Sequence, residues 1–223
     1  MQSILYQSVI VNYWLLPVAL LVLWVPRQWL RYGGKLISIP QPRRPGRDER
    51  DSRDESLKFS AAFAKPRNWV DFLRALGGGL AICYMCFEPA PDAPRAVDTQ
   101  IFVVQCVILG LAILIQTIRI ENRLTLVAPI FFLMGLSFGL VGWKAALFAC
   151  VAIWTINLVL PSVSVFLVVF GALQLCFGLL FGSRLSLPAS ILAASLAMAP
   201  VLLSGITKRR LVQLNKKSRG ARD

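Results

Sequence analysis

Long apolar stretches alternate with short polar stretches along this chain, and the apolar stretches dominate. Seven of them approach the length of about 20 mostly apolar residues that a membrane-spanning helix needs. The pattern therefore predicts an all-α membrane protein with about seven transmembrane helices. The predicted spans are Ile4–Pro26, Trp69–Phe87, Thr99–Ile118, Leu124–Trp143, Ala145–Leu160, Val165–Gly182 and Leu187–Ile206.

The spans divide the chain into four regions. We expect residues 1–26 to be an N-terminal transmembrane anchor, and residues 27–67 to be a basic cytoplasmic loop that is partly disordered or interfacial. Residues 68–206 would form a six-helix bundle, and residues 207–223 a basic cytoplasmic tail. The first span has no basic segment before it and no small-residue cleavage site after it. We therefore interpret it as a retained anchor and not as a signal peptide.

Composition supports the membrane interpretation. Of the 223 residues, 57% are hydrophobic and 16% are charged, whereas globular chains are about 45–50% apolar and about 25% charged. A soluble fold could not cover so much apolar surface. The chain also has no histidine, which excludes imidazole metal sites and Ser-His-Asp triads.

The distribution of basic residues predicts the orientation. If the seven spans alternate, 21 of the 24 lysines and arginines lie on one side, and Arg95, Lys144 and Arg184 lie on the other. Cytoplasmic loops of membrane proteins carry the excess of Lys and Arg. We therefore expect the N-terminus outside and the C-terminus in the cytoplasm. The basic side would face anionic headgroups and no specific nucleic acid, and the brief loops suggest a bacterial cytoplasmic membrane.

Spans four and five resemble spans six and seven. Leu136–Val141 matches Leu175–Leu180 at an offset of 39 residues, which suggests a possible tandem two-helix repeat. Each outward helix of this repeat also carries two glycines four residues apart. Small residues let helices approach closely in lipid, so these glycines are candidates for helix packing, either within the chain or in a homo-oligomer. They are Gly135, Gly139, Gly178 and Gly182.

Uncharged polar residues inside the spans mark a candidate polar interior. Amides in hydrocarbon need hydrogen-bond partners, and Gln174 lies deepest within its span. These residues would either bond between helices or line a cavity for an uncharged solute. The candidates are Gln174, Ser137, Ser195, Gln105 and Asn157.

Asp71 and Arg74 are the charged residues of the spans, and both lie near the start of the second helix. Asn68 can cap that helix, and Arg74 can pair with Asp71 at i, i+3. We interpret the two as a structural pair at the cytoplasmic interface, and a substrate-binding role there is the alternative. An exposed pair of this kind contributes about 0.3–0.5 kcal/mol.

The remaining chemistry is sparse. Cys83 and Cys86 have the spacing of a redox or zinc motif, but two ligands do not complete a zinc site. We therefore assign no catalytic residue, no cofactor and no metal. Three function classes stay open: a structural or assembly subunit of a membrane complex, a channel or facilitator for a small uncharged solute, and a lipid-acting membrane enzyme. The first is favoured because no catalytic pattern is visible.

Overall fold

A computed structural model describes residues 9–26, 63–91, 93–94, 96–120, 124–181, 186–208 and 211–212. The chain is mostly helical over these residues, as the apolar pattern predicts. Within these ranges there are seven α-helices: α1 (Leu15–Trp24), α2 (Pro66–Leu80), α3 (Ala96–Thr117), α4 (Ile130–Leu140), α5 (Trp143–Ile156), α6 (Val163–Phe181) and α7 (Ser186–Thr207).

Three of these helices, α3, α6 and α7, are long and apolar enough to cross a membrane. The apolar helices α1, α4 and α5 are shorter, and α2 continues into a π-helix over Ala81–Met85. A short 3-10 turn, Asn157–Val159, extends α5. The three long helices are thus the candidate membrane-spanning helices of the described residues.

Short strands join the ends of the helices, which the all-α prediction missed. Strand β1 (Val9–Val11) pairs antiparallel with β2 (Phe87–Pro89). Strands β3 (Ile118–Ile120) and β4 (Leu124–Val127) form an antiparallel pair, and β5 (Leu211–Val212) joins β4 in parallel. The first sheet ties the start of α1 to the end of α2, and the second ties the ends of α3 and α7 to the start of α4.

The helix of the first span is shorter than predicted. It begins at Leu15 because the side-chain oxygen of Asn12 accepts hydrogen bonds from the backbone N–H groups of Trp14 and Leu15, at 3.3 and 3.1 Å. Such a cap satisfies donors that have no partner within the helix. The β-branched residues before it suit a strand better than a helix.

The fourth span is also shorter than predicted, since β4 occupies Leu124–Val127 and Pro129 precedes the helix. The helix ends at a turn that lies where the predicted fourth span meets the fifth. Gly142 has a φ of 82° between α4 and α5, a backbone conformation that glycine adopts without steric cost.

Helices α1 and α4 both pack against α2. A Cβ at Gly135 of α4 would meet the backbone of Phe72, and a Cβ at Gly139 would lie 2.8 Å from the carbonyl carbon of Gly79. The later residue of α4 meets the later residue of α2, so the two helices run parallel. Helix α1 runs antiparallel to them, because Asn12 before it bonds to Cys86, whereas Leu23 near its end packs on Gly78 and Val25 accepts from Arg74.

Several predictions concern residues outside the described part of the chain. These are most of the cytoplasmic loop (27–62), the tail beyond residue 212, and Gly182. The tandem repeat stays a prediction. Gly139 packs on α2, whereas Gly178, its counterpart in the repeat, packs against Ser190 of α7.

Candidate functional site

A cluster of polar side chains surrounds the C-terminal end of α1. The side-chain amide of Gln116 donates hydrogen bonds to the carbonyl oxygens of Leu23 and Val25, both at 3.0 Å. The guanidinium of Arg74 donates to the same Val25 oxygen through Nη1 at 2.8 Å. Residues of α2 and α3 therefore bind the carbonyl groups that a helix end leaves without helical partners.

Arg74 is held by three kinds of contact. Besides its bond to Val25, its Nε lies 3.4 Å from Oδ1 of Asp71, and its guanidinium carbon lies 5.3 Å from the ring centre of Phe132. The side chains of Arg74 and Asp71 are only 8% and 6% exposed. The i, i+3 pair of the sequence interpretation is present, but its burial makes the value for an exposed pair too small, because breaking a buried pair costs about 3–5 kcal/mol.

The faces of α2 are reversed relative to a helix of a soluble protein. Asn68 and Asp71 are buried on the inner face, whereas Trp69, Val70 and Leu73 are exposed on the outer face. In water this arrangement would bury the groups that need solvent and expose those that avoid it. The helix is suited to an apolar surrounding on its outer side.

The π-helix at the end of α2 has a polar partner of its own. Gln105 on α3 donates through Nε2 to the carbonyl oxygens of Ile82 and Cys83, at 2.9 and 3.3 Å. Both acceptors lie within the π-helix, where backbone bonding departs from the α pattern. Gln105, a predicted member of the polar interior, thus supports an irregular stretch of backbone.

Helix α3 presents both glutamines on one face. Gln105 and Gln116 are eleven residues apart, which is close to three full turns at about 3.6 residues per turn. Val103 and Val107 of the same helix are exposed. The two glutamines therefore lie on the face of α3 that packs into the bundle, among buried apolar residues such as Leu109 and Ile113.

Comparison of this chain with known protein families, curated proteins and solved structures finds no match. The site is therefore interpreted from its own geometry.

The other predicted interior residues lie in different places. Gln174 is 1% exposed, and Ser137 and Asn157 are also buried. The Ser137 hydroxyl donates to the carbonyl oxygen of Met134 at 2.6 Å. Ser195 lies on an exposed face and donates to Ile191 of its own helix at 2.7 Å, so the structure does not bring it into the interior.

Two further buried polar atoms belong to α6 and α7. Among the described residues, Oε1 of Gln174 and Oγ of Ser190 are buried without a hydrogen-bond partner. Ser190 contacts Gly178, which lies one turn beyond Gln174 on α6. On α6, Gln174 and the residue that contacts Ser190 are therefore about one turn apart.

The sequence did not single out Gln116 or Thr117, which are both buried at the end of α3. The spacing of Gln116 from Gln105 was the available signal. No three Cys, Asp or Glu side chains of the described ranges come together as a metal site, and the cysteines described there are free thiols. The arrangement around α1 can hold three helices together and neutralise the charge of Arg74 with Asp71.

Proposed function

We propose that this chain is a polytopic integral membrane protein that serves as a structural or assembly subunit of a membrane complex. The observation that carries the proposal is the reversed polarity of α2, in which Asp71 is buried and Leu73 is exposed. A bilayer supplies the apolar environment that the outer face of such a helix requires.

The bonding of the polar cluster supports a structural role. Arg74, Gln105 and Gln116 donate to backbone carbonyl oxygens of neighbouring elements. Donors engaged in this way fix the positions of α1, α2 and α3 relative to one another. A catalytic or transport site needs polar groups directed toward a substrate, and this cluster directs its donors toward the backbone of the fold.

We propose seven spans with the N-terminus outside, in a bacterial cytoplasmic membrane. The ends of the helices support the alternation. The end of α1 meets α2 near Arg74 and the end of α3 at Gln116, and the sheet of β3, β4 and β5 joins further ends on the same side. The basic loop and tail follow from this side of the bundle, so anionic headgroups there are the expected lipid partner.

Extraction of the tagged full chain from native membranes into polymer nanodiscs tests the assembly role. The expected result by native mass spectrometry is a particle that contains the chain and a partner at fixed stoichiometry. Co-expression of two differently tagged copies separates a homo-oligomer from a complex with another protein. A particle that holds one copy of the chain and only lipid would contradict the assembly role.

A facilitator for a small uncharged solute is the alternative, and the buried oxygens of Gln174 and Ser190 favour it. Swelling of liposomes that contain the chain would measure permeation, with glycerol and urea as probes. If this alternative holds, the chain increases permeation and Gln174→Leu abolishes the increase while the protein stays folded. Ser195→Ala is the matched control, since Ser195 is exposed and bonded within its own helix.

A further inference from the structure

Large aromatic side chains are exposed at one end of the helix bundle. Trp14 at the start of α1 is 90% exposed, and Trp143 at the start of α5 is 65% exposed. Tyr13 and Tyr84 are exposed as well. Tryptophan and tyrosine are enriched where a membrane meets water, because each ring combines an apolar body with a polar atom.

These aromatic residues lie at one level along α2. The backbone N–H of Asn12 donates to the carbonyl oxygen of Cys86 at 3.0 Å, which places Trp14 beside the end of the π-helix that contains Tyr84. Gly139 of the parallel helix α4 lies beside Gly79. Four residues later the chain reaches Trp143, which is therefore at about the level of residue 83.

The opposite end of α2 provides the second boundary. Helix α2 begins at Pro66, between Lys65 and the exposed Arg67. From Pro66 to Tyr84 the rise is about 27 Å at about 1.5 Å per residue. This length is close to the thickness of about 30 Å of a bilayer's hydrocarbon core.

We propose that the exposed residues Tyr13, Trp14, Tyr84 and Trp143 form an aromatic belt that binds the glycerol and carbonyl region of one phospholipid leaflet. The inference rests on the proposed membrane location and deepens it by naming the surface and the depth. Lys144 lies 5.7 Å above the Trp143 ring, where its ammonium group can also meet lipid phosphates. Exposed aliphatic side chains, such as Val18 and Leu21 of α1, lie below the belt and face acyl chains.

The belt also fixes the depth of the polar cluster. Arg74 lies eight residues into α2, or about 12 Å from the boundary at Pro66. At this depth the carbonyl groups at the end of α1 have no water to bind. The donors of Arg74 and Gln116 replace water there, as backbone groups within a bilayer require.

Depth-dependent fluorescence quenching tests the belt. The full chain has six tryptophans, and variants that keep only one of them, with the others changed to Phe, are placed in phosphatidylcholine vesicles. The lipids carry bromine either near the glycerol end or near the methyl end of the acyl chains. We expect the variants that keep Trp14 or Trp143 to be quenched several-fold more by the shallow bromines.

The variant that keeps Trp154 is the control, because Trp154 is buried among aromatic rings and both lipids should quench it weakly. If the multiple changes prevent folding, Trp14→Phe and Trp143→Phe are made singly. Each should then reduce the shallow quenching of the intact chain. These two positions are exposed, so their substitution leaves the core in place.

The possible failures are distinguishable. Stronger quenching of Trp14 and Trp143 by the deep bromines would overturn the belt while leaving the chain in the membrane. If both were quenched by aqueous iodide and by neither lipid, the belt would also be overturned. If no tryptophan responded to either lipid and the chain did not float with the vesicles, the membrane location itself would be refuted.

Discussion

The shared carbonyl of Val25 allows a quantitative test of the polar cluster. Arg74 and Gln116 both donate to this oxygen, at 2.8 and 3.0 Å. We consider Arg74→Met, Gln116→Met and the double variant, because methionine keeps an unbranched stem and removes the donors. In each single variant the Val25 oxygen keeps one donor, and in the double variant it loses both.

The structure sets the expected magnitudes. Gln116→Met removes two hydrogen bonds to carbonyl groups, each worth about 0.6 kcal/mol within a membrane. It also removes the side-chain donor of the Leu23 oxygen, so the single variant should lose about 1–3 kcal/mol, and this Leu23 contribution cancels in the cycle. Arg74→Met removes a charged donor and also breaks the ion pair with the buried Asp71, so it should cost about 3–5 kcal/mol. The double variant should lose about 1 kcal/mol more than the sum, because a buried carbonyl without a donor carries its own penalty of about 1–3 kcal/mol. Loss of the contact with Asp71 occurs in both variants that lack Arg74, so it cancels in the cycle.

The free energy of unfolding would be measured by titration with SDS in bicelles, followed by tryptophan fluorescence. Trp24 is a suitable reporter, since its indole N–H donates to Ile108 of α3 at 3.2 Å and would be released when α1 detaches. Arg74→Met combined with Gln105→Met is the matched control. Gln105 lies on the same face of α3 but about 16 Å from Gln116 along the axis, so its effect should add to that of Arg74→Met within about 0.5 kcal/mol.

Additive effects of Arg74→Met and Gln116→Met, to within about 0.3–0.5 kcal/mol, would refute the reasoning. Such a result would mean that the two side chains do not act on one carbonyl group. The ion pair with Asp71 and the contact with Phe132 would then account for the burial of Arg74.

Further predictions address orientation, packing and the buried Gln174. A cysteine introduced at Ser52 should react with impermeant thiol reagents only from the cytoplasmic side, and one at Ser183 only from outside; the reverse pattern would exclude the proposed orientation. Gly139→Ala should destabilise the fold by about 1–3 kcal/mol, because its Cβ would meet the backbone of α2. Gly77→Ala, where nothing lies within 4 Å, should change the unfolding free energy by less than about 1 kcal/mol, and equal losses would argue against close packing at Gly139. Gln174→Leu should lower stability by about 1 kcal/mol or less if Gln174 serves packing alone, and a larger loss would contradict that role.

The positions of most helices could be predicted from the sequence because lipid imposes a length requirement on apolar segments. The second span was placed at Trp69–Phe87, and the structure forms α2 and its π-helix over Pro66–Met85. The third and sixth helices also lie within a few residues of their predicted bounds. The β1–β2 pairing was missed because it joins Val9 to Pro89, residues that are far apart in the chain.

The candidate site was less predictable because the groups that its side chains contact come from distant parts of the chain. Gln116 has carbonyl groups to bind because α1 ends at Trp24. This end lies about two turns inside the bundle from the level at which α2 begins. That end leaves carbonyl groups inside the bundle. The sequence suggested that Asp71 and Arg74 would pair, but their burial depends on α1, α4 and α3 closing around them.

Hydroxyl and amide side chains differ in how well they predict a position inside the bundle. Thr155, Ser195 and Thr207 each donate to the carbonyl oxygen four residues earlier in their own helix, at 2.6–2.8 Å. A hydroxyl that forms its hydrogen bond within its own helix can lie on an exposed face. For this reason the polarity of Ser195 does not predict that it lies in the interior.

Glutamine behaves differently, because its longer side chain reaches a neighbouring helix. Gln105 and Gln116 bond to backbone groups of other elements, whereas Oε1 of the buried Gln174 accepts no hydrogen bond from the described residues. Because Gln174 is buried within the bundle, a small solute that enters between the helices could supply a donor to that oxygen, whereas a partner chain on the outer surface could not. The effect of Gln174→Leu on permeation therefore tests the facilitator more directly than any change in the cluster around α1.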